Sequence, residues 1–416
     1  MSLFSKTKKI SSRHRKIPTP KSISGIVLVS QVIKSLHSFF DRHKKNFTAT
    51  DLEREKEDSE KMVTLCFCLA LTLCVTVGFS TTIQSPDGDI VDCTDILAQP
   101  AFRHPLLKDH KLQETPKNLP NLAKDRDELT WQTWHRSGST CPEGTIPIRR
   151  EVGHENGTTN SRAGAEVTQG HEYAIGYLNS TMQIYGTKVT MSVGHPKVDQ
   201  VREFSLGQLW LVAGSYKKGD LNSIEAGWQR DAYTRYRCYN LQCAGFVQTS
   251  GTVLIEGAIS LMSPQITIQI WKDPHLGHWW LSIGSANDTV LTPVGYWPTE
   301  IFTCLSDYAE RVQWGGEIVN TNFSGRHTTT QMGSGYLPSS AKAAYMRDLE
   351  IVTNNRDFQP TDDLIVGTTN PAYYDIKKSS NTSFSYGGPM HAGAEGLQPR
   401  GGPSEFVDGL TSLTVG

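Results

Sequence analysis

The stretch Asn222-Ser-Ile-Glu-Ala-Gly-Trp228 has the alternation of a β-strand. Successive strand residues point to opposite faces of a sheet, so its apolar residues share one face while Glu225 and Gly227 share the other. A carboxylate therefore lies beside a position that has no side chain. Because glycine in a strand often marks the close approach of another backbone, this face is a candidate binding surface.

A second stretch repeats the arrangement. In Trp314-Gly-Gly-Glu-Ile-Val-Asn320, Gly315 and Glu317 share one face, and Trp314 and Ile318 share the other. Two strands that each offer a glutamate beside a glycine can line a groove for an extended polypeptide. The alternative for each glutamate alone is an ordinary solvated position on the surface of a sheet.

Two glutamates that face each other have a defined chemistry. Their repulsion favours one proton on the pair, so that the ionised member accepts a proton from water and the protonated member donates one to the substrate. This is acid–base peptide hydrolysis without a covalent intermediate, and it is favoured by acidic pH. Glycoside hydrolysis uses the same residue types. Gln331, in the polar stretch that follows His327, can hold a substrate carbonyl or simply belong to the polar face of a strand.

Short stretches of alternating apolar and polar residues, separated by turn residues, recur from Ala165 onward. They predict an all-β protein, an antiparallel sandwich or barrel. Only Thr299–Val312 has helical spacing, whereas His275 and His278 flank a glycine turn and are expected on the surface. An alternative function without catalysis is a glycan-binding sandwich, in which four tryptophan rings stack on sugars: Trp271, Trp279, Trp280 and Trp297.

The charge of the 416-residue chain is nearly balanced, with 41 Lys and Arg against 42 Asp and Glu. The chain lacks the basic excess that is typical of nucleic-acid binding. Its sequence contains no nucleophile elbow, phosphate loop or cluster of metal ligands, so neither a cofactor nor a metal is expected. The length predicts one large domain with attached segments.

The first 80 residues differ from the rest. Residues 1–61 are basic and then highly charged, and a disordered extension is expected there. Residues 62–80 contain an uncharged apolar run that ends in small residues, which predicts a secretory signal peptide, with a type II membrane anchor as the alternative. Glycosylation acceptors farther along the chain favour export: Asn156, Asn179, Asn287, Asn322 and Asn381.

Residues 81–163 form a separate polar segment, which ends in a linker rich in Gly, Asn, Thr and Ser. Its two cysteines, Cys93 and Cys141, can form a disulfide in an oxidising compartment. Cys238 and Cys243 close a small loop, for which a local disulfide is preferred over half of a zinc site.

Several motifs, taken in order, resemble the neprosin family of plant proteins. The likeness spans residues 82–388 and rests on the following stretches: Ser85-Pro-Asp-Gly-Asp-Ile-Val-Asp-Cys93, Gln99-Pro-Ala-Phe-Arg-His-Pro105, Cys141-Pro-Glu-Gly-Thr-Ile-Pro-Ile-Arg-Arg150, Glu203-Phe-Ser-Leu-Gly-Gln-Leu-Trp210, Ile224-Glu-Ala-Gly-Trp-Gln229, Cys238-Tyr-Asn-Leu-Gln-Cys243, Gly295-Tyr-Trp-Pro298, Trp314-Gly-Gly-Glu317 and Gln331-Met-Gly-Ser-Gly335.

This resemblance implies a secreted glutamic endopeptidase precursor, built as an antiparallel β-sandwich, that cuts proline-containing peptides or proteins after proline at acidic pH. The catalytic glutamates of the family correspond to Glu225 and Glu317. Residues 81–163 would be an activation peptide that covers the cleft and inhibits the enzyme until acid triggers its removal. Residues 164–388 would be the catalytic domain.

Two departures from the family pattern bear on activity. Only Arg230–Arg237 connect the Gly-Trp-Gln motif to the Cys-Tyr-Asn motif, where the family has a longer connection with a further strand. A strand beside Glu225 is therefore expected to be missing, which leaves open whether the chain is an active enzyme or an inactive relative. Residues 389–416 no longer match the family, and a disordered tail is expected there.

Overall fold

A computed structural model describes residues 81–122, 131–150, 170–178, 182–200, 202–230, 240–242, 244–260, 265–285, 290–322, 325–354, 357–390 and 412–415. They belong to one compact unit, Ser80–Gly416. In these ranges no helix is long and apolar enough to cross a membrane. Outside them lie the predicted extension 1–61, the signal segment 62–80, Cys238, Cys243, Asn156, Asn179 and Asn287.

The described strands form three antiparallel sheets. The small sheet has the order β1 (Thr81–Gln84), β2 (Ile90–Asp95) and β3 (Thr145–Arg149). The six-stranded sheet has the order β15 (Leu364–Thr368), β4 (His171–Leu178), β12 (Arg311–Val319), β6 (Ser205–Ala213), β7 (Asn222–Arg230) and β18 (Ser412–Val415). The nine-stranded sheet has the order β16 (Asp375–Ser380), β17 (Ser383–Gly387), β13 (Ala344–Val352), β5 (Gly186–Ser192), β9 (Gln265–Lys272), β10 (Trp279–Ser285), β11 (Thr292–Trp297) and β8 (Val247–Gln248), with β14 (Phe358–Pro360) beside β13. Short 3₁₀ turns complete the described elements: Ile96–Ala98, Pro100–Arg103, Pro105–Leu107, Thr133–Ser137, Tyr216–Lys218, Asn240–Gln242 and Thr299–Ile301.

The main core lies between the six-stranded and the nine-stranded sheet. The apolar residues of the two glutamate-bearing stretches, Trp228 and Trp314 among them, are fully buried in it. Their indole N–H groups also link the sheets, because Trp228 Nε1 donates to the Ser192 carbonyl at 2.9 Å and Trp314 Nε1 donates to Thr187 Oγ1 at 3.0 Å. The predicted all-β antiparallel sandwich is confirmed.

The predicted helix at Thr299–Val312 is wrong. Its first residues form only a 3₁₀ turn, and β12 already begins at Arg311. Leu305 and Ala309 are buried without a helix. The backbone N–H groups that a helix would satisfy internally have other partners here: the Asn222 side-chain carbonyl accepts the N–H groups of Thr303, Cys304 and Leu305.

The segment that precedes β4 packs on the outer face of the nine-stranded sheet. Ala101 and Leu119 join a second apolar cluster there, together with Trp271 and Trp280. The Gln269 amide fixes the segment to this face: it donates to the Pro120 carbonyl at 2.9 Å and accepts from Asn121 Nδ2 at 2.7 Å. Residues 101–122 of the predicted activation peptide thus lie on the side of the sandwich opposite to Glu225 and Glu317, whereas Trp131 and Ile146 join the main core. The expectation that the peptide covers the groove beside these glutamates is wrong for residues 101–122, because their apolar side chains pack on the other sheet.

Burial overturns two predictions for the surface. The four tryptophans of the glycan-binding alternative are between 0% and 4% exposed, so their rings are core residues and do not offer a stacking surface: Trp271, Trp279, Trp280 and Trp297. His275 is exposed as expected, but His278 is buried, and its ring stacks on Tyr296 with the centroids 5.2 Å apart.

The end of the chain occupies the edge of the six-stranded sheet. Residues Ser412–Val415 form β18 and pair antiparallel with β7, with Thr414 opposite Gly227. The prediction of a disordered tail at 389–416 is therefore wrong for these four residues. A strand from the C-terminus thus takes the place beside β7 where a strand was expected to be missing. Without it, the backbone N–H and C=O groups at the edge of β7 would have no strand to pair with.

One predicted disulfide lies within the described residues and is confirmed. Cys93 and Cys141 are bonded, and the bond ties β2 to the residues just before β3. Among the glycosylation acceptors, Asn322 and Asn381 are described, and both are exposed.

Candidate active site

Glu225 and Glu317 lie on one face of the six-stranded sheet, the face turned away from the main core. Glu225 belongs to β7 and Glu317 to β12, and β6 runs between them. On β6, Trp210 pairs with Glu225 and Leu206 pairs with Glu317. Because residues paired across neighbouring strands point the same way, the two glutamates share this face with both β6 side chains.

The two glutamates are diagonal to each other rather than directly paired. Their partners on β6, residues 206 and 210, are four positions apart. With strands about 4.8 Å apart and a rise of about 3.3 Å per residue, a flat sheet would hold their Cα atoms about 16 Å apart. Glutamate side chains are too short to close that distance with a direct hydrogen bond. The geometry therefore does not allow a proton to be held directly between the two carboxylates.

Two side chains of β4 contact the Glu317 carboxylate. His171 Nδ1 lies within hydrogen-bond distance of Glu317 Oε1, and the Tyr173 hydroxyl also bonds this carboxylate. The His171 ring stacks on Tyr173 and meets Phe204 edge to face at 5.9 Å. Glu317 itself is only 6% exposed, so these contacts replace most of the water that would otherwise solvate the charge.

Tyr173 is influenced by both glutamates. Burial of its ring, the charge of Glu317, its hydrogen bond to Glu317 and the charge of Glu225 all raise the pKa of Tyr173 well above its ordinary value. The phenol therefore stays protonated at acidic and neutral pH and remains a hydrogen-bond donor. Its ring meets Trp210 edge to face at 6.5 Å, which connects it to the strand residue opposite Glu225.

Glu225 is the more accessible member of the pair. It is half-buried, and its Oε1 accepts a hydrogen bond of 3.0 Å from the Ser223 hydroxyl. Ser223 lies two residues earlier on the same strand and therefore on the same face. The contacts of the two carboxylates thus differ: Glu317 meets an imidazole and a phenol, and the contacts of Glu225 include an aliphatic hydroxyl.

Gln208 lies midway along the diagonal that joins the glutamates. It pairs with Gly227 on one side and with Gly315 on the other. Along β6 it lies two residues from Leu206, which pairs with Glu317, and two residues from Trp210, which pairs with Glu225. Its side chain is fully buried on the shared face. An amide offers both an N–H donor and a carbonyl acceptor at this position.

The two glycines do not leave an empty patch. A Cβ at Gly227 would lie 2.0 Å from the Gly207 carbonyl oxygen, and a Cβ at Gly315 would lie 2.2 Å from the Ala174 carbonyl oxygen. Gly315 also has a φ of +152°, which L residues rarely adopt. The backbone that approaches these glycines is that of the neighbouring strand. Their effect on the groove is indirect: Gly227 lets β7 pack closely on β6 beside Gln208, and Gly315 lets β12 pack closely on β4.

Gln331 is not joined to this face. Its side-chain Oε1 accepts a hydrogen bond of 2.8 Å from the Lys197 backbone N–H, and its backbone N–H donates to the Lys197 carbonyl at 2.8 Å. In the part of the chain that the structure describes, its side chain therefore connects two chain segments instead of facing Glu225 or Glu317.

Sequence reasoning did not select His171, Tyr173 and Gln208 as site residues. A signal was available, since the alternation in β4 puts His171 and Tyr173 on one face and the alternation in β6 groups Gln208 with Trp210. The missing information was which strands are neighbours, and this is decided by pairings between residues more than a hundred positions apart.

The chain is similar to one known protein family and to several solved structures. The neprosin family model matches residues 228–389, and the neprosin activation peptide model matches residues 82–177. Glu317 lies inside the first match, and Glu225 lies just before it.

Two solved structures are similar to this chain at low identity. One is scytalidoglutamic peptidase with a peptide-based transition-state analogue, at 9% identity, with 52% of this chain and 98% of that chain covered and a TM-score of 0.29. The other is SCP-B, a member of the eqolisin family of peptidases, with a tripeptide, at 12% identity, with the same coverage of 52% and 98% and a TM-score of 0.30. From the two family matches, this chain belongs to the neprosin family, with an activation-peptide region followed by a catalytic domain.

Proposed function

We propose that this protein is the precursor of a secreted glutamic endopeptidase that hydrolyses peptide bonds after proline in acid. The observation that carries the proposal is the placement of Glu225 and Glu317 on one outward sheet face, where both charges act on the Tyr173 hydroxyl. Membership of the neprosin family supports it, because the catalytic glutamates implied by the resemblance are these two residues.

The proposed reaction needs a water and the two carboxylates. The ionised glutamate accepts a proton from the water as the water oxygen attacks the scissile carbonyl carbon, and the protonated glutamate donates its proton to the leaving nitrogen as the C–N bond breaks. The substrate backbone would cross the diagonal between Glu225 and Glu317. Among the donors on this face, the partly exposed Tyr173 hydroxyl can donate a hydrogen bond to the negative charge developing on the carbonyl oxygen.

The surroundings of the site suit a proline side chain. Tyr173 and Trp210, edge to face at 6.5 Å, provide aromatic surface beside both glutamates. The ring of a proline is apolar and rigid, so it can pack against aromatic faces with little further loss of conformational freedom. We assign these two rings to the pocket that accepts proline on the amino-terminal side of the cleaved bond.

Export is part of the same proposal. The Cys93–Cys141 disulfide is the kind of bond that persists in an oxidising compartment. The exposed acceptors Asn322 and Asn381 are positioned for glycosylation in the secretory pathway. The activation-peptide region would keep the enzyme inactive until it is removed.

The test is cleavage of a proline-containing peptide by the acid-treated protein. Glu225→Gln and Glu317→Gln should each lower kcat/KM by about 10²–10⁴-fold, the usual contribution of a general acid or base. Glu350→Gln is the matched control, because that carboxylate lies on the other sheet and pairs with Lys188 at 2.9 Å. Circular dichroism verifies the folding of each variant. Equal activity of the wild-type protein and Glu317→Gln contradicts the proposal.

A further inference from the structure

A second cluster of ionisable side chains lies on the opposite side of the sandwich. His110 follows the 3₁₀ turn Pro105–Leu107, His278 precedes β10, and Glu300 lies in the turn Thr299–Ile301. His110 Nδ1 is 3.6 Å from Glu300 Oε1, and His278 Nδ1 is 3.8 Å from Glu300 Oε2. One nitrogen or oxygen from each residue lies within 4.8 Å of the others. The three chain segments thus converge on one point.

We propose that His110, His278 and Glu300 bind a zinc ion that joins the activation-peptide region to the catalytic domain. Two histidines and a carboxylate are an established zinc ligand set. With bonds of about 2.0–2.1 Å in a tetrahedron, ligand atoms lie about 3.4 Å apart. The observed separations, 3.6 Å from His110 Nδ1 to Glu300 Oε1 and 3.8 Å from His278 Nδ1 to Glu300 Oε2, end on different oxygens of the carboxylate. With all three ligand atoms within 4.8 Å of one another, the side chains need to shift by about 1 Å to coordinate one ion.

The surroundings of His110 match those of a metal ligand. Its Nε2 is 2.9 Å from the Tyr296 hydroxyl, and the Gln113 backbone N–H donates to the same hydroxyl at 3.0 Å. A histidine that binds zinc through one nitrogen commonly donates the N–H of the other to a neighbour, which fixes the tautomer and the ring orientation. With the proton on Nε2, the Nδ1 lone pair of His110 is directed to Glu300.

His278 is held just as firmly. Its ring is only 4% exposed and stacks on Tyr296 with the centroids 5.2 Å apart. The Thr299 backbone N–H donates to its Nδ1 at 3.1 Å, so this nitrogen carries no proton and its lone pair is occupied by that hydrogen bond. Zinc would take over that lone pair from the N–H group.

The nearby charges leave the site suited to a cation. Glu300 and Asp273 are negative and Lys272 is positive among the groups that act on His278. The Lys272 ammonium lies over the Trp279 ring at 5.0 Å and is within bonding distance of the Gly277 carbonyl. The Glu300 side chain is 46% exposed, so an ion can enter from solvent and a water can complete its coordination.

The site would connect two parts of the chain with different fates. His110 falls in the region matched by the activation peptide, residues 82–177, whereas His278 and Glu300 fall in the neprosin match, residues 228–389. A bound zinc would therefore strengthen the contact between the two regions. This inference is independent of the catalytic proposal, because none of its ligands lies on the face that carries Glu225 and Glu317.

Zinc titration of the purified precursor at neutral pH, followed by calorimetry, tests the assignment. We expect one zinc per chain and a visible absorption spectrum of tetrahedral cobalt when Co²⁺ replaces zinc. Glu300→Gln and His110→Ala should each weaken zinc binding at least tenfold. His275→Ala is the matched control, because it removes an exposed histidine from the turn that precedes His278 and should leave the zinc affinity unchanged.

A second measurement follows the contact between the activation-peptide region and the catalytic domain. Zinc should slow amide exchange in residues 105–113 of the wild-type precursor but not of Glu300→Gln, whose exposed side chain can change without disturbing the core. Three results overturn the inference: no stoichiometric zinc binding by the wild-type chain, a loss in His275→Ala equal to that in Glu300→Gln, or an octahedral cobalt spectrum.

Discussion

The Tyr173 hydroxyl offers the sharpest test of the proposed chemistry. Tyr173→Phe removes one oxygen and keeps the ring that stacks on His171 and meets Trp210 edge to face at 6.5 Å. Because the packing is kept, the variant should fold, with a melting temperature lowered by a few degrees by the loss of the bond to the buried Glu317 carboxylate. Its activity should fall, since the hydroxyl that bonds Glu317 and lies under the influence of Glu225 is gone.

The size of the loss follows from the kind of hydrogen bond. A bond to a charged group contributes about 1.5–3 kcal/mol, which corresponds to a loss of about 10- to 150-fold in kcat/KM. An oxyanion donor of this type contributes as much or more. Cleavage of a proline-containing peptide by the acid-treated protein measures it. The pKa of Tyr173 is raised, so the phenol stays protonated in the working range and the loss of rate reflects the missing donor and not a changed charge on Tyr173.

Tyr177→Phe is the control for this experiment. Tyr177 lies on the same strand and the same face, but it pairs with Gln313 and lies four residues away from Tyr173. It should retain full activity. The reasoning is refuted if Tyr173→Phe stays within twofold of the wild-type rate, or if Tyr177→Phe loses as much activity as Tyr173→Phe.

Three further predictions concern the scaffold. Gly315→Ala should lower the free energy of unfolding by about 2–5 kcal/mol, because its Cβ would lie 2.2 Å from a backbone carbonyl at a φ of +152°; Gly367→Ala, with nothing within 4 Å, should be neutral in the same denaturant titration. Deletion of 391–416 removes β18 and exposes the edge of β7, so the melting temperature should fall and light scattering should rise; an unchanged melting temperature would show that the strand contributes nothing. Replacing Cys93 and Cys141 by serine opens a link of 48 residues, for which chain entropy gives a loss of about 4 kcal/mol, measurable by denaturant unfolding, whereas a change below about 1 kcal/mol contradicts that account.

Local alternation in the sequence was enough to predict the sandwich and to orient the two glutamate-bearing strands. A period of two residues assigns each side chain to a face wherever the chain is extended, so Trp228 and Trp314 were directed to the core and Glu225 and Glu317 away from it. The same logic fails where apolar spacing is not produced by a regular element. The stretch that ends at Val312 has helical spacing, but its residues are buried in an irregular connection whose backbone bonds Asn222.

Sequence alone was sufficient to predict the strands, their inward and outward faces and the two candidate carboxylates, and to show that Cys93 can pair with Cys141. The neighbours of each strand became known only from the folded chain, and with them the diagonal offset between the glutamates, the position of Gln208 between them and the approach of Tyr173 to both. The folded chain also shows that the C-terminus completes the sheet beside β7 and that residues 101–122 lie on the opposite face. The physical reason is that side-chain direction is fixed within a strand by the backbone, whereas strand order and register depend on contacts between segments far apart in the chain.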